Sequence, residues 1–125
     1  MTQPVFSREK RTVLAGQIAT IFRSWKLTPE ERAWALGFRR GSKLSLRRYE
    51  NGGAIVNKTD VLWRAGCLLD ISRLLLSMDP DHGSEWIRKP CVPLENKRPV
   101  ELLKHIESML YVRSMLINRA SLGIK

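Results

Sequence analysis

Apolar residues recur at helical spacing along most of the chain, and strand-like alternation is evident nowhere. Over residues 7–25, Leu14, Ile18, Ile21, Phe22 and Trp25 fall three or four apart, which predicts a helix with one apolar stripe and Ser7 as its N-cap. Leu27 is followed by Thr28-Pro29-Glu30-Glu31, a strong start signal. Thr28 can accept from free first-turn amides, Glu31 stands at the capping-box position, and Pro29 falls at the first helical position, where no N–H is missed. This second helix carries Ala33, Trp34 and Leu36 and ends at Gly37, expected as a left-handed C-cap. After the turn Phe38-Arg39-Arg40-Gly41, Ser42 can cap a short helix over residues 43–50, stopped by Asn51-Gly52-Gly53. Leu46 and Tyr49, three apart, anchor it, while Arg47 and Arg48 project elsewhere.

A wider apolar pattern covers residues 59–78: Val61, Leu62, Ala65, Leu68, Leu69, Ile71, Leu74, Leu75 and Met78. It predicts the central core helix, whole or broken in two near Asp70, with Thr59 as cap and Asp60 at the positive end of the dipole. Asp79-Pro80-Asp81-His82-Gly83 reads as a loop, and a turn or two of helix starts at Ser84-Glu85-Trp86-Ile87. Pro90 and Pro93 interrupt, and Pro99 opens a helix with Leu102, Leu103, Ile106 and Met109 or Leu110. A further helix holds Val112, Met115, Leu116 and Arg119. The fold expected is all-α.

The order helix, glycine turn, short basic helix is that of a helix-turn-helix, whose second helix enters the major groove. Charge sharpens this reading. The 125 residues carry a net charge of +10, and residues 1–50 hold 11 Lys+Arg against 4 Asp+Glu, whereas residues 51–125 hold 11 against 8. Arg39, Arg40, Lys43, Arg47 and Arg48 fall within ten residues, with no acid before Glu50. A run of charge is often only a solvated face. Around a capped turn it suits phosphates and guanine edges, so Arg39, Arg40, Ser42, Lys43 and Arg47 are the candidate DNA-binding residues. One such unit reads a half-site, so a homodimer is expected, with the first helix and the region of residues 74–78 as candidate dimer surfaces.

Other chemistry finds little support. Cys67 and Cys91 form no CxxC pair, and His82 and His105 have no second ligand at finger spacing, so no metal is expected. Cys67 lies within the apolar pattern and is most simply a small buried hydrophobe. No GxSxG, HExxH, Walker or GxGxxG motif is present, so no catalytic residue and no cofactor is assigned, and the protein is expected not to be an enzyme. No apolar run approaches the roughly 20 residues that span a bilayer. No apolar stretch follows the basic N-terminus as in a secretory signal, and a cytoplasmic location without a membrane partner is expected.

The pattern Trp25-x-Leu27-Thr28-x-Glu30-Glu31, Ala35-Leu36-Gly37, Arg47-Arg48-Tyr49-x-x-Gly52 and Asp60-Val61-Leu62-x-Arg64-Ala65-Gly66-x-Leu68-Leu69-x-Ile71 resembles the Xre/MbcA/ParS-type antitoxins. Trp86-Ile87-x-x-Pro90, Leu94, Lys97-Arg98-Pro99-Val100-Glu101-Leu102-Leu103 and Val112-Arg113-x-x-Leu116 extend the resemblance, which covers about residues 15–120. It implies a helix-turn-helix DNA-binding domain over residues 1–78 and a small helical toxin-binding domain over residues 79–125. The function implied is that of a type II antitoxin that binds a cognate RES-domain toxin, which consumes NAD or ADP-ribosylates a target, and represses its own operon through operator DNA in the bacterial cytosol. The toxin-binding residues implied are Trp86, Pro90, Pro99, Glu101, Arg113 and Arg119. Three departures from the family pattern stand out: a longer turn between Gly37 and Tyr49, Asn96 in place of a glycine, and Cys91 after Pro90 in place of an asparagine. Asn tolerates the left-handed conformation that such a turn requires. The alternative is a free-standing repressor whose second half only dimerises.

Overall fold

A computed structural model describes residues 7–38, 47–49 and 51–122. These residues are mostly helical, and none forms a strand. Helix α1 (Arg8–Ser24) starts where Ser7 accepts from the Lys10 amide at 3.2 Å and buries Leu14, Ile18, Ile21 and Phe22. Trp25 closes it and is itself buried. Helix α2 (Pro29–Leu36) has the full capping box: Glu31 N–H donates to Thr28 Oγ1 at 3.1 Å, and Thr28 N–H donates to the Glu31 carboxylate at 2.9 Å. Gly37 ends it at φ +75°, the left-handed cap that its position requires.

Helix α3 (Thr59–Met78) is the centre of the molecule and touches α1, α2 and the C-terminal elements. One expectation is corrected here, and one left open is decided. Thr59 is the first helical residue rather than the cap; Lys58 occupies the cap and makes no side-chain cap bond. The helix also runs unbroken past Asp70, because Leu68, Ile71 and Leu75 continue one buried face through that point.

The C-terminal segment folds back across α3. Helix α4 (Gly83–Trp86) is a single turn, starting one residue before Ser84. A 3-10 turn follows at Val92–Leu94, then left-handed Glu95 and Asn96, at φ 58° and 62°. They reverse the chain so that Cys91 and Lys97 pair as an isolated antiparallel bridge. Pro99 opens a helix as expected, but it is the 3-10 helix Pro99–Lys104. The break falls at His105, in extended conformation, and α5 (Ile106–Ser121) then runs as one helix instead of dividing near residue 110. It packs on α3 through Met109, Val112 and Leu116, all buried.

One apolar cluster joins the two halves, from Leu14 and Ile18 through Leu36, Tyr49, Ile55, Leu68 and Ile71 to Ile87, Leu94, Val100, Leu103, Met109 and Leu116. Cys67 and Cys91 lie within it as free thiols. No helix among the described residues is long and apolar enough to cross a membrane.

Candidate functional site

Helix α2 and the residues after it carry the sequence-based DNA-binding assignment. Arg39, Arg40, Ser42 and Lys43 lie outside the described residues, as does Leu46. Residues 47–49 are helical, with Arg47 and Arg48 exposed and Tyr49 buried. The Tyr49 ring stacks obliquely on Phe38, centroids 5.7 Å apart and planes at 36°. Tyr49 Oη accepts from the Val56 amide at 3.3 Å. Burial raises the pKa of this phenol, so it stays neutral and keeps its place in the apolar cluster. The turn closes as Asn51 N–H donates to Arg47 O, Gly52 N–H to Tyr49 O and Gly53 N–H to Arg48 O, with Gly52 at φ 93°. Arg47 is thereby held beside the chain that leaves Gly37, on a short helix pinned by one tyrosine.

Helix α2 is fixed at both ends by arginines from other elements. At its start, Arg88 donates to the buried Glu31 carboxylate at 2.9 Å. Burial alone would raise the Glu31 pKa; the Arg88 hydrogen bond and charge and the two Thr28 bonds outweigh it, and the carboxyl is held below its ordinary value. At its end, the buried Arg64 guanidinium donates to Trp34 O at 3.2 Å, Leu103 O at 3.4 Å and Lys104 O at 3.2 Å, while its Nε meets Asp60 at 3.2 Å. Lys104 Nζ caps the same junction, 4.0 Å from the Trp34 ring centroid. These carbonyls stand at helix ends, where backbone donors run short, although Trp34 O also accepts from the Gly37 amide at 3.1 Å. Sequence reading passed over Arg64, Arg88 and Lys104 as anchors; the only local signal was the four-residue spacing of Asp60 and Arg64.

The residues implied for toxin binding divide by environment. Pro99 is fully buried. Glu101 is exposed and accepts from the Arg98 amide at 2.9 Å, which starts the 3-10 helix. Trp86 is half-buried against the core, and Pro90 is exposed on the loop that follows. Val100 N–H donates to Ile87 O at 2.8 Å, which brings the Trp86 turn and the Pro99 helix together. Arg113 pairs with Asp70 at 3.2 Å across α3 and α5. Arg119 is half-buried in the last turn of α5. Six residues separate these two arginines, about 120° around the helix, so they occupy different faces. A cleft of about 350 Å³ missed in the sequence lies between the reversal and α5, lined by Pro93, Glu95, Lys97, Glu107 and the exposed Tyr111.

No group of three or more His, Cys, Asp or Glu side chains placed to hold a metal is found among the described residues. Burial pushes the Cys67 thiol up, away from the reactive thiolate. Comparison with protein-family models and with curated proteins finds no match.

Proposed function

We propose that this protein is a DNA-binding antitoxin, with a helix-turn-helix between Thr28 and Gly52 and a toxin-binding segment after Asp79. The observation that carries the first half is the Phe38–Tyr49 stack. It fixes a short helix bearing exposed Arg47 and Arg48 against the end of a doubly capped α2, within the most basic stretch of the chain. That combination suits phosphate neutralisation and base contact by an inserted helix. The second half rests on the resemblance to Xre/MbcA/ParS-type antitoxins, with a RES-domain toxin as the partner, operator DNA as the target and the bacterial cytosol as the location. A homodimer follows from half-site reading. The helix-turn-helix and the toxin-binding segment share a core, which suits a protein whose two activities report on one another.

The experiment has two arms. In the first, the chain is titrated onto the DNA upstream of its own gene. If Arg39, Arg40, Ser42, Lys43 and Arg47 make about three phosphate contacts per subunit, log affinity falls against log salt with a slope of roughly −0.9 per contact. Arg39→Ala with Arg40→Ala flattens that slope while the helical circular dichroism stays. In the second, the neighbouring reading frame is expressed with and without this chain, and growth and cellular NAD are followed. DNA binding beside a harmless neighbour would leave the repressor reading; toxicity relieved by this chain establishes the antitoxin.

A further inference from the structure

The 3-10 helix Pro99–Lys104 carries a sequence suited to a different structure. Pro99 stands at its first position, Glu101 accepts from the Arg98 amide at 2.9 Å, and no glycine or proline occurs from residue 100 to residue 122. Those are the signals of one α-helix running from Pro99 through α5. The chain instead winds six residues of 3-10 helix, where runs beyond about four are uncommon, and breaks at His105, with φ −117° and ψ 136°. The break interrupts backbone hydrogen bonds. His105, the N-cap of α5, makes no side-chain cap bond, so the amides of Ile106, Glu107 and Ser108 open that helix without an intrahelical acceptor. In an unbroken helix their acceptors would be the carbonyls of Leu102, Leu103 and Lys104, four residues back. Two of those three carbonyls are taken by the buried Arg64 of α3, at 3.4 Å and 3.2 Å. Burial of Val100 and Leu103 and the bond from Val100 N–H to Ile87 O act in the same direction. Tertiary contacts thus hold a bend that the local sequence opposes, and the exposed His105 is the one residue at which the bend is made.

We propose that His105 is a hinge with Arg64 as its latch. In the bent state of the present structure, Arg64 holds the end of the 3-10 helix. In the straight state His105 turns helical, residues 99–121 form one α-helix, and the carbonyls of Leu103 and Lys104 pass from Arg64 to the amides of Glu107 and Ser108. The six residues shorten by about 3 Å, since the rise per residue falls from about 2.0 to about 1.5 Å. Both hydrogen bonds given up at Arg64 are replaced within the helix, which keeps the second state accessible. The latch also reaches α2. Arg64 donates to Trp34 O at the end of that helix, and Lys104 Nζ lies 4.0 Å from the Trp34 ring centroid. Straightening withdraws Lys104 from the ring and leaves Arg64 with Asp60 and Trp34 O. The end of α2, directly before Gly37 and Phe38, therefore responds to the state of residues 99–104. A partner that prefers one shape of this segment shifts the balance between the two. The hinge stands on backbone hydrogen bonds, so loss of the antitoxin or DNA-binding reading would not remove it.

Carbon-13 exchange-saturation NMR on the full chain tests it, because the Cα shift of a minor state reports that state's backbone conformation. Arg64→Met removes the latch and raises the ratio of straight to bent chains by about tenfold or more, as loss of hydrogen bonds from a charged donor does. The Cα of His105 in the second state should then have a helical shift. The exposed hinge residue gives an independent answer if Arg64→Met does not fold. His105→Ala favours a helical residue and His105→Val an extended one, so the second state should be about fivefold more populated in the first than in the second. A single state at residues 99–108 in both Arg64→Met and His105→Ala would overturn the proposal. So would a second state with a random-coil shift at residue 105, which is local unfolding, or equal populations in the two His105 variants.

Discussion

Arg88 donates to Glu31 at 2.9 Å across 57 positions of sequence, and Glu31 is at once the capping residue of α2 and the acceptor of this ion pair. One carboxylate therefore starts a helix and ties it to the C-terminal segment. With Arg64 at the opposite end, α2 is held between two arginines that belong to other elements. The helix is only eight residues long, too short to persist without such ties.

Stability should therefore depend on pH through Glu31. Its folded pKa lies below the ordinary 4.5, so the unfolded chain takes up the proton first. The contribution is fully present above 4.5 and is lost as pH falls through that value toward the lower folded pKa. Glu31→Gln keeps a capping side chain but removes the charge, and is expected to cost about 1–2 kcal/mol at neutral pH. Denaturant titrations at several pH values should show a smaller loss on acidification in Glu31→Gln than in the parent. An identical acid limb in both would remove Glu31 from the linkage.

Arg64 is the second tie. Arg64→Met removes the guanidinium donor from the carbonyls of Trp34, Leu103 and Lys104, of which Trp34 O keeps the Gly37 amide, at an expected cost of about 2–4 kcal/mol. Arg64→Lys keeps the charge but replaces the planar fork by one compact donor group, so it should recover only part of that. Gly37→Ala reaches the same junction from the other side. Its Cβ would stand 2.7 Å from Arg64 Nε, at a backbone φ of +75°. A loss of more than about 1 kcal/mol is expected, measured by chemical denaturation.

Local grammar made α1, α2 and their caps legible: Ser7, Thr28, Glu31 and Gly37 each do what short-range rules demand. The C-terminal breaks were harder to read. Pro99 and Glu101 look like an α-helix start, but the helix stays 3-10 until extended His105 resets the chain. Glu95 takes a left-handed conformation that its residue type does not announce, beside Asn96, whose type does. The candidate site was legible in its residue types and not in its contacts. Arg113 reads as a free basic residue in sequence, yet Asp70 lies 43 positions away and 3.2 Å distant. Trp63 stands outside the apolar pattern read in α3, and it is exposed, because the 3.6-residue period places it off the buried stripe.

Tyr49 ties the basic turn to the core, so its substitutions should separate anchoring from charge. Tyr49→Phe keeps the ring against Phe38 and leaves the Val56 amide without its acceptor, for about 1 kcal/mol. Tyr49→Ala removes the ring and should cost about 3 kcal/mol. On the proposed function, Tyr49→Ala lowers DNA affinity at temperatures where the protein is still folded. The salt dependence is retained, since every Arg and Lys remains. A salt slope that falls together with the affinity would place Tyr49 among the direct contacts instead.

The tail of α5 tests the proposed division of labour. Among the described residues Leu116 is the last buried one; Ile117 and Leu122 are exposed and Arg119 is half-buried. Deleting residues 117–125 therefore removes little core area, and the truncated chain should stay helical by circular dichroism, with a stability loss within about 1 kcal/mol. It keeps α2, Tyr49, Arg64 and Arg88, so it should shift operator DNA as the full chain does. The proposed toxin contact is different, because a few residues at the end of a chain can carry most of a binding energy. Expressed beside the neighbouring toxin, the truncated chain should no longer restore growth or cellular NAD. Full protection by it would remove the tail from the inhibition, and loss of helix content would show that the last turn of α5 holds the fold instead.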